Sequence, residues 1–239
     1  MITLAFDTAT DRCTVATTNG TRIAHRHIDG ARRHAGALLG LIDETLQELD
    51  ATPAGIGRVI MANGPGSFTG LRVAAAVAKA LSWRRQLEWR VAPSLLVRAV
   101  GHVPAGGGTV LALSDALRGE LYAGCWRITR TDVECIGPAP KAISPASLAA
   151  LPTLDVVVGS IPPALIEAVA AATNRAPITG EAALPDARSL LALVQISGAT
   201  TLVTDAAAWQ PDYGRPAAAQ VVWERAHGRQ LPPAPGIAR

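Results

Sequence analysis

Aromatic side chains are scarce in this 239-residue chain: two phenylalanines, two tyrosines and five tryptophans amount to 4%. A core cannot then rest on large rings. It must be filled by Ala, Val and Leu, with helices able to approach their neighbours closely. Lysine is nearly absent, occurring only as Lys79 and Lys141, and the arginines are scattered. The net charge of +3 and pI of about 9.1 therefore permit contact with RNA without describing a nucleic-acid groove. The three cysteines, Cys13, Cys125 and Cys135, are odd in number and lack metal-ligand spacing. They read as small buried hydrophobes in a reduced compartment. No apolar run is long and uninterrupted enough to span a bilayer, and residues 1–6 open a short strand without a basic segment before it. A soluble cytoplasmic protein without membrane association is expected. Charged residues at 17% against 49% hydrophobic exclude a disordered chain.

Several catalytic signatures are missing as well. His25, His27 and His34 cluster ahead of a helix, but no His-Glu-x-x-His or His-x-x-x-His places two rings on one helical face, so no metal site is expected. No serine stands in Gly-x-Ser-x-Gly, and no cysteine has a readable histidine partner. No catalytic residue is assigned.

What is present is a regular alternation of strands and helices. Residues 2–6 form an apolar run ending at Asp7, and Cys13, Val15 and Thr17 alternate as a second strand. Asn19-Gly20 is a two-residue hairpin signal leading to a third strand over 21–28. Ala35, Leu38, Leu39, Ile42, Leu46 and Leu49 predict a helix over 32–50, stopped by Pro53 and Gly55. A strand over 58–62, an alanine-rich helix over 69–82, a strand over 88–91 and a helix after Pro93-Ser94 complete a first unit. This order implies a mixed sheet covered by helices. Pro104 and Gly106-Gly107-Gly108 divide the chain into a first lobe, 1–105, and a second, 106–239. Beyond the division Val110–Asp115 echoes Ile2–Asp7, again an apolar strand ending in aspartate, and Leu121, Ala123 and Cys125 echo Cys13 and Val15. Further strands near 132–136 and 154–158 and helices near 162–172 and 186–195 continue a duplicated fold. A C-terminal helix and a flexible tail over Leu231–Arg239, with three prolines, close the second lobe.

Two segments could carry chemistry. Asp7-Thr8 at a strand end can face an inter-lobe cleft and hold a metal-bound phosphate, or can simply cap a turn. Gly64-Pro65-Gly66-Ser67-Phe68-Thr69-Gly70 precedes a helix. The amides of Gly64, Gly66 and Gly70 can converge on an anion, with Ser67 or Thr69 capping the helix. It can equally be a structural turn, and Leu71-Arg72 after Gly70 exclude a Walker A loop. In the helix that follows, Ala74, Ala75, Ala76, Ala78 and Ala80 leave small residues on more than one side, either for core packing or for a second helix.

Taken together, Asp7-Thr8-Ala9-Thr10, His34, Gly64–Arg72, Pro93-Ser94-Leu95, Asp115–Tyr122 and Pro211–Arg215 with Ala218 and Gln220 resemble the TsaB (YeaZ) family. The resemblance implies an α/β fold of two ribonuclease-H-like lobes of the actin/Hsp70-like superfamily. It implies a non-catalytic scaffold for threonylcarbamoyl transfer to the adenosine beside the anticodon of tRNA. Its partners would be a TsaD-type catalytic paralogue and a TsaE-type ATPase, with tRNA met through the complex. The partner surface would lie on helices 32–50 and 69–82, through Leu38, Ile42, Leu46, Ala75, Val77 and Ala78. That surface is expected to form a homodimer when the chain is alone. No cofactor is assigned. A nucleotide in the cleft of Asp7, Thr8, Gly64, Gly66, Ser67, Thr69 and Gly70 would instead fit a small phosphotransferase of the same fold. The chain departs from the family at Trp83-Arg84-Arg85-Gln86, in place of a glycine-rich turn, and at Leu117, where arginine is common.

Overall fold

The computed structural model describes residues 1–30, 34–83, 85–137 and 140–214. The expected tail, a C-terminal helix just before it, Arg215, Ala218, Gln220 and the first two residues of the 32–50 helix lie outside them.

The chain opens with an antiparallel meander, β1 (Ile2–Asp7), β2 (Arg12–Thr18) and β3 (Ile23–Asp29). The β2–β3 turn is held by Asn19, whose Oδ1 accepts from the amides of Thr21 and Arg22. Helix α1 (His34–Glu48) leads to β4 (Ile56–Ala62), which returns parallel to β1. Helix α2 (Phe68–Ser82) then leads to β5 (Glu88–Ala92), parallel to β4, and to α3 (Ser94–Val100). The strand order β5-β4-β1-β2-β3 is the ribonuclease-H-like arrangement.

A second sheet repeats it. β6 (Gly108–Asp115) and β7 (Leu121–Ile128) are antiparallel, β8 (Val133–Cys135) and β9 (Lys141–Ile143) both pair with β7, and β10 (Val156–Ser160) runs parallel to β6. Ile178 adds a rudimentary parallel bridge to Val158, where the first half has a full β5. Helix α4 (Pro163–Thr173) covers the outer face, and α5 (Ala187–Leu193) follows.

Side-chain alternation divides three cores. Leu4, Phe6, Val59 and Met61 face α1 and α2, whereas Ala5, Ala16, Ile60 and Ala62 face the other way. In the second sheet Leu111, Leu113, Leu121 and Val157 face α4, while Val110, Ala112, Trp126 and Val158 face inward. The inward faces enclose α3 and α5, so the layers run helices, sheet, helices, sheet, helices. Within the middle layer the two helices are exchanged: α3 packs on β6 and β7, and α5 on β1 and β2. Alanine recurs here, at Ala5, Ala16, Ala62, Ala92, Ala99, Ala112 and Ala187, where short side chains let helices and sheets close together.

The division at residue 105 needs correction. Residues beyond it return to the first half: α5 lies against β1 and β2, and β11 (Thr201–Leu202) pairs with β5 as the sixth strand of the first sheet. A two-residue strand carries no readable periodicity, so the return is invisible in the pattern. It is anchored by Trp209, whose ring lies 4.9 Å from that of Trp89, and by Lys79, whose Nζ donates to the Ala207 carbonyl at 3.0 Å.

Trp209→Ala should therefore destabilise the whole chain by about 3 kcal/mol, as a buried aromatic truncation does. Urea unfolding would show a lower midpoint with unchanged slope. A loss below about 1 kcal/mol would mean that the returning segment is not part of the cooperative unit.

Candidate functional site

The segments singled out in the sequence meet at one place, where the ends of β1 and β4 approach α3 and the returning chain. Each engages another through its own backbone. The Ser67 amide donates to the Ala9 carbonyl at 2.7 Å, and Thr8 Oγ1 donates to the Gly70 carbonyl at 2.8 Å. The Gly64 amide donates to Ser94 Oγ at 2.9 Å, and the Ser94 amide returns a bond to the Gly64 carbonyl at 2.8 Å. The Asp212 amide donates to the Asn63 carbonyl at 2.8 Å. Ser67 is the N-cap of α2, its Oγ accepting from the Gly70 amide at 3.3 Å.

Three glycines, Gly64, Gly66 and Gly70, are required by this packing. Gly64 has φ of +114°, and a Cβ there would collide with the Asp212 carbonyl. At Gly70 a Cβ would collide with the Thr8 carbonyl. Gly66 abuts Ala9, and only Thr69 among the seven cleft residues points to solvent without a described bond. Of the groups expected to cradle a phosphate, the Gly64 and Gly70 amides and the Ser67 cap are engaged within the chain, and loop backbone lies close to Gly64, Gly66 and Gly70. Asp7 is likewise interior, only 1% exposed, and Thr8 is equally buried.

Asp7 sits in an unusual electrostatic setting. Its Oδ1 accepts from the Ala9 amide at 2.7 Å, while its Oδ2 is buried without a partner among the described residues. Burial pushes its pKa from 3.8 to about 6, against the Ala9 hydrogen bond and the charge of Arg98. Arg98, 3% exposed, donates from Nη1 to the Leu113 carbonyl and leaves Nε buried and unpartnered. Burial lowers its pKa to about 10, with Asp7 opposing. Arg98 thus links the end of β1 to β6 across the middle layer. The sequence reading missed it, although a lone charge inside Ser-Leu-Leu-Val-Arg-Ala-Val is the available signal.

The remaining candidates disperse. His25 Nε2 lies 3.1 Å from Thr14 Oγ1 and 3.4 Å from Asp186, and burial lowers its pKa. No group of three or more His, Cys, Asp or Glu side chains among the described residues could hold a metal ion. Burial pushes the Cys13 thiol up to about 12 and Cys125 to about 11, so neither is a thiolate nucleophile at neutral pH. No helix among the described residues is long and apolar enough to cross a membrane.

Comparison with known proteins agrees with this arrangement. The family model described as TsaD: tRNA N6-adenosine threonylcarbamoyltransferase matches residues 25–204, more than half of the chain. The chain is 36% identical over 121 residues to the tRNA threonylcarbamoyladenosine biosynthesis protein TsaB of Escherichia coli K12, covering 50% of this chain and 52% of that one. To the TsaB of Bacillus subtilis 168 it is 26% identical over 143 residues, covering 58% and 60%. It superposes on YeaZ from Pseudomonas aeruginosa with a TM-score of 0.73 at 25% identity, over 89% of this chain and 99% of that one. The chain belongs to the TsaB (YeaZ) family. Its matches span a little over half the length of the curated TsaB relatives.

Within this TsaB-type fold the expected partner face also needs correction. Leu38, Ile42, Leu46, Ala75 and Ala78 are buried in the chain's own core beneath α1 and α2, and Val77 is half-buried against it. The apolar stripe of each helix serves its own sheet first. The exposed face of the same helices carries Leu39 (61% exposed), Arg72, Ala76 and Ala80, with Phe68 and Trp83 exposed at the two ends of α2.

Asp7 provides a test with a defined sign. Its folded pKa of about 6 exceeds the unfolded 3.8, so its contribution to stability is fully present below 3.8 and is lost as pH rises through 6. Asp7→Asn should stabilise the protein at pH 7.5 by about 3 kcal/mol, with the gain fading to nothing near pH 4. Urea unfolding across this range checks it. An Asn variant less stable at pH 7.5 would mean that attraction to Arg98 outweighs burial.

Proposed function

We propose that this chain is a non-catalytic scaffold subunit in threonylcarbamoyladenosine biosynthesis on tRNA. It acts beside a TsaD-type catalytic partner and a TsaE-type ATPase, meets tRNA through the complex, and needs no cofactor of its own. The observation that carries the reading is the closed motif cluster: Thr8, Gly64, Ser67 and Gly70 bond to one another's segments and to Ser94. Transfer chemistry calls for placed acids, bases or oxyanion donors aimed at a reacting centre. Here those polar groups hold the fold. The names of the Escherichia coli and Bacillus subtilis relatives supply the pathway.

The surface best suited to a partner is the outer face of α1 and α2. Its exposed Leu39, Ala76 and Ala80 offer a flat apolar strip on which another helix can lie closely. Charge is divided between the two helices. α1 contains Asp43, Glu44 and Glu48 without Lys or Arg, and α2 contains Arg72 and Lys79 without Asp or Glu. A related chain with the same division can pair acidic helix with basic helix, and so can a second copy of this chain. Isolated protein is therefore expected to be a homodimer through this face.

Leu39→Glu and Ala76→Glu, at exposed positions, should each weaken capture of the organism's TsaD-type protein at least a hundredfold, about 3 kcal/mol. Circular dichroism and the unfolding midpoint should not change. Light scattering should show the same variants monomeric where the parent is dimeric. Reconstituted tRNA modification should require this chain. Modification that proceeds without it, or nucleotide turnover by the isolated chain, would overturn the scaffold reading in favour of a phosphotransferase built on Asp7.

A further inference from the structure

A cavity of about 460 Å³ opens between α3, the turn at 180–186 and α5, and shares Arg98 with the motif cluster. Three arginines from three separate elements line it: Arg12 from β2, Arg98 from α3 and Arg188 from α5. Each uses part of its guanidinium to hold structure. Arg12 engages Asp29 through Nε and Nη2, Arg188 engages Asp186 through the same two atoms, and Arg98 binds the Leu113 carbonyl through Nη1. Each retains donors with no partner among the described residues: Nη1 of Arg12 and of Arg188, and Nε and Nη2 of Arg98.

These leftovers differ from the ordinary surface case. Arg98 is 3% exposed, with Nε sealed from solvent and Nη1 on the Leu113 carbonyl, so Nη2 is the donor it has left to offer the cavity, and a charge held this deep is costly to leave without hydrogen bonds. Arg12 is also largely buried, held in place by Asp29. The carboxylates of the wall do not answer the need. Asp186 is engaged by Arg188 and by the cap of α5, and Glu181 stands at the rim, exposed, 3.6 Å from Arg12. The rest of the wall mixes the apolar Val100, Leu184 and Pro185 with His102, whose ring nitrogens lie 3.0 Å from the Arg98 carbonyl and 2.8 Å from the Ala182 carbonyl, and Ser189.

We propose that this inter-lobe cavity is a binding site for a small organic oxyanion, its phosphate or carboxylate group received by Nη1 of Arg12 and of Arg188 and by Nη2 of Arg98. Guanidinium ends favour planar or tetrahedral oxyanions through charge-assisted bonds, and the cavity volume suits a small ligand with an apolar body against the half-buried Val100 and Leu184. Because the walls come from both halves of the chain, occupancy would stiffen the junction of α3 and α5. The site is independent of the partner face on α1 and α2, so its test needs the isolated chain alone.

Calorimetry and ligand-observed NMR with phenyl phosphate, inorganic phosphate and phenol provide that test. Phenyl phosphate should bind saturably with a dissociation constant below about 1 mM, inorganic phosphate more weakly, and phenol not at all. Arg188→Gln should weaken phenyl phosphate at least tenfold, and so should Ser189→Asp, which sets a carboxylate on the cavity wall. Arg127→Gln, at an exposed arginine paired with Glu134 outside the cavity, should leave binding intact. Absence of saturation up to about 10 mM would overturn the proposal. Unaltered binding in both cavity variants, or an equal loss in Arg127→Gln, would do the same.

Discussion

Two short helices, α3 and α5, lie against each other between two sheets, and each packs on the sheet belonging to the other half of the chain. Nearly everything else follows from this exchange. A helix between two sheets has no outward face, so Ser-Leu-Leu-Val-Arg-Ala-Val is buried almost throughout. The sheets close on such helices with many short inward residues, beside a few large ones such as Ile60 and Trp126. Alanine populates the inward positions of β1, β2, β4 and β6, while Leu, Phe, Met and Val populate the outward ones. The exchange also makes the two halves hard to separate. Rotating one lobe from the other would pull each helix off the foreign sheet and expose a single continuous core.

The same geometry explains the signature segments. They stand where β1, β4 and the start of α3 come within hydrogen-bonding distance of one another. Glycines at 64 and 70 let backbone touch backbone, and Ser67 and Ser94 satisfy amides that the close approach would otherwise strand. Asp7 contributes through its bond from the Ala9 amide more than through the charge of Arg98. It faces Arg98, whose guanidinium reaches the carbonyl of Leu113 in the second sheet. A motif that reads locally as an anion loop is in this fold a joint between elements.

The regular elements were readable because their periodicities are strong. The meander over β1–β3, the α1 stripe, the alanine-rich α2 and the echo of β1 and β2 in β6 and β7 all appear in the pattern of apolar positions. Three things were not readable. A helix stripe does not say whether it faces its own sheet or a partner, so Leu38, Ile42 and Leu46 were placed outside when they lie inside. A glycine-rich turn does not say what occupies the space it leaves; here it is Ala9, Thr8 and Asp212. The third was the return to the first half: α5 has a helical pattern but nothing in it names the sheet it packs on, and beyond it residues 201–209 rest on a two-residue strand, one aromatic pair and a lysine bond, none with a periodic signature.

That return has a bearing on how the protein is made. The first sheet acquires its sixth strand only from sequence encoded about 110 residues after β5, and the loop at Gly64 its neighbour Asp212 about 150 residues later. While the chain emerges from the ribosome, the first half must wait, with β5 exposed as an edge and the inward alanine face of β1 uncovered until α5 arrives. The fold is consequently completed from its far end, and translation that stops between the two sheets leaves an open-edged intermediate in place of a finished lobe.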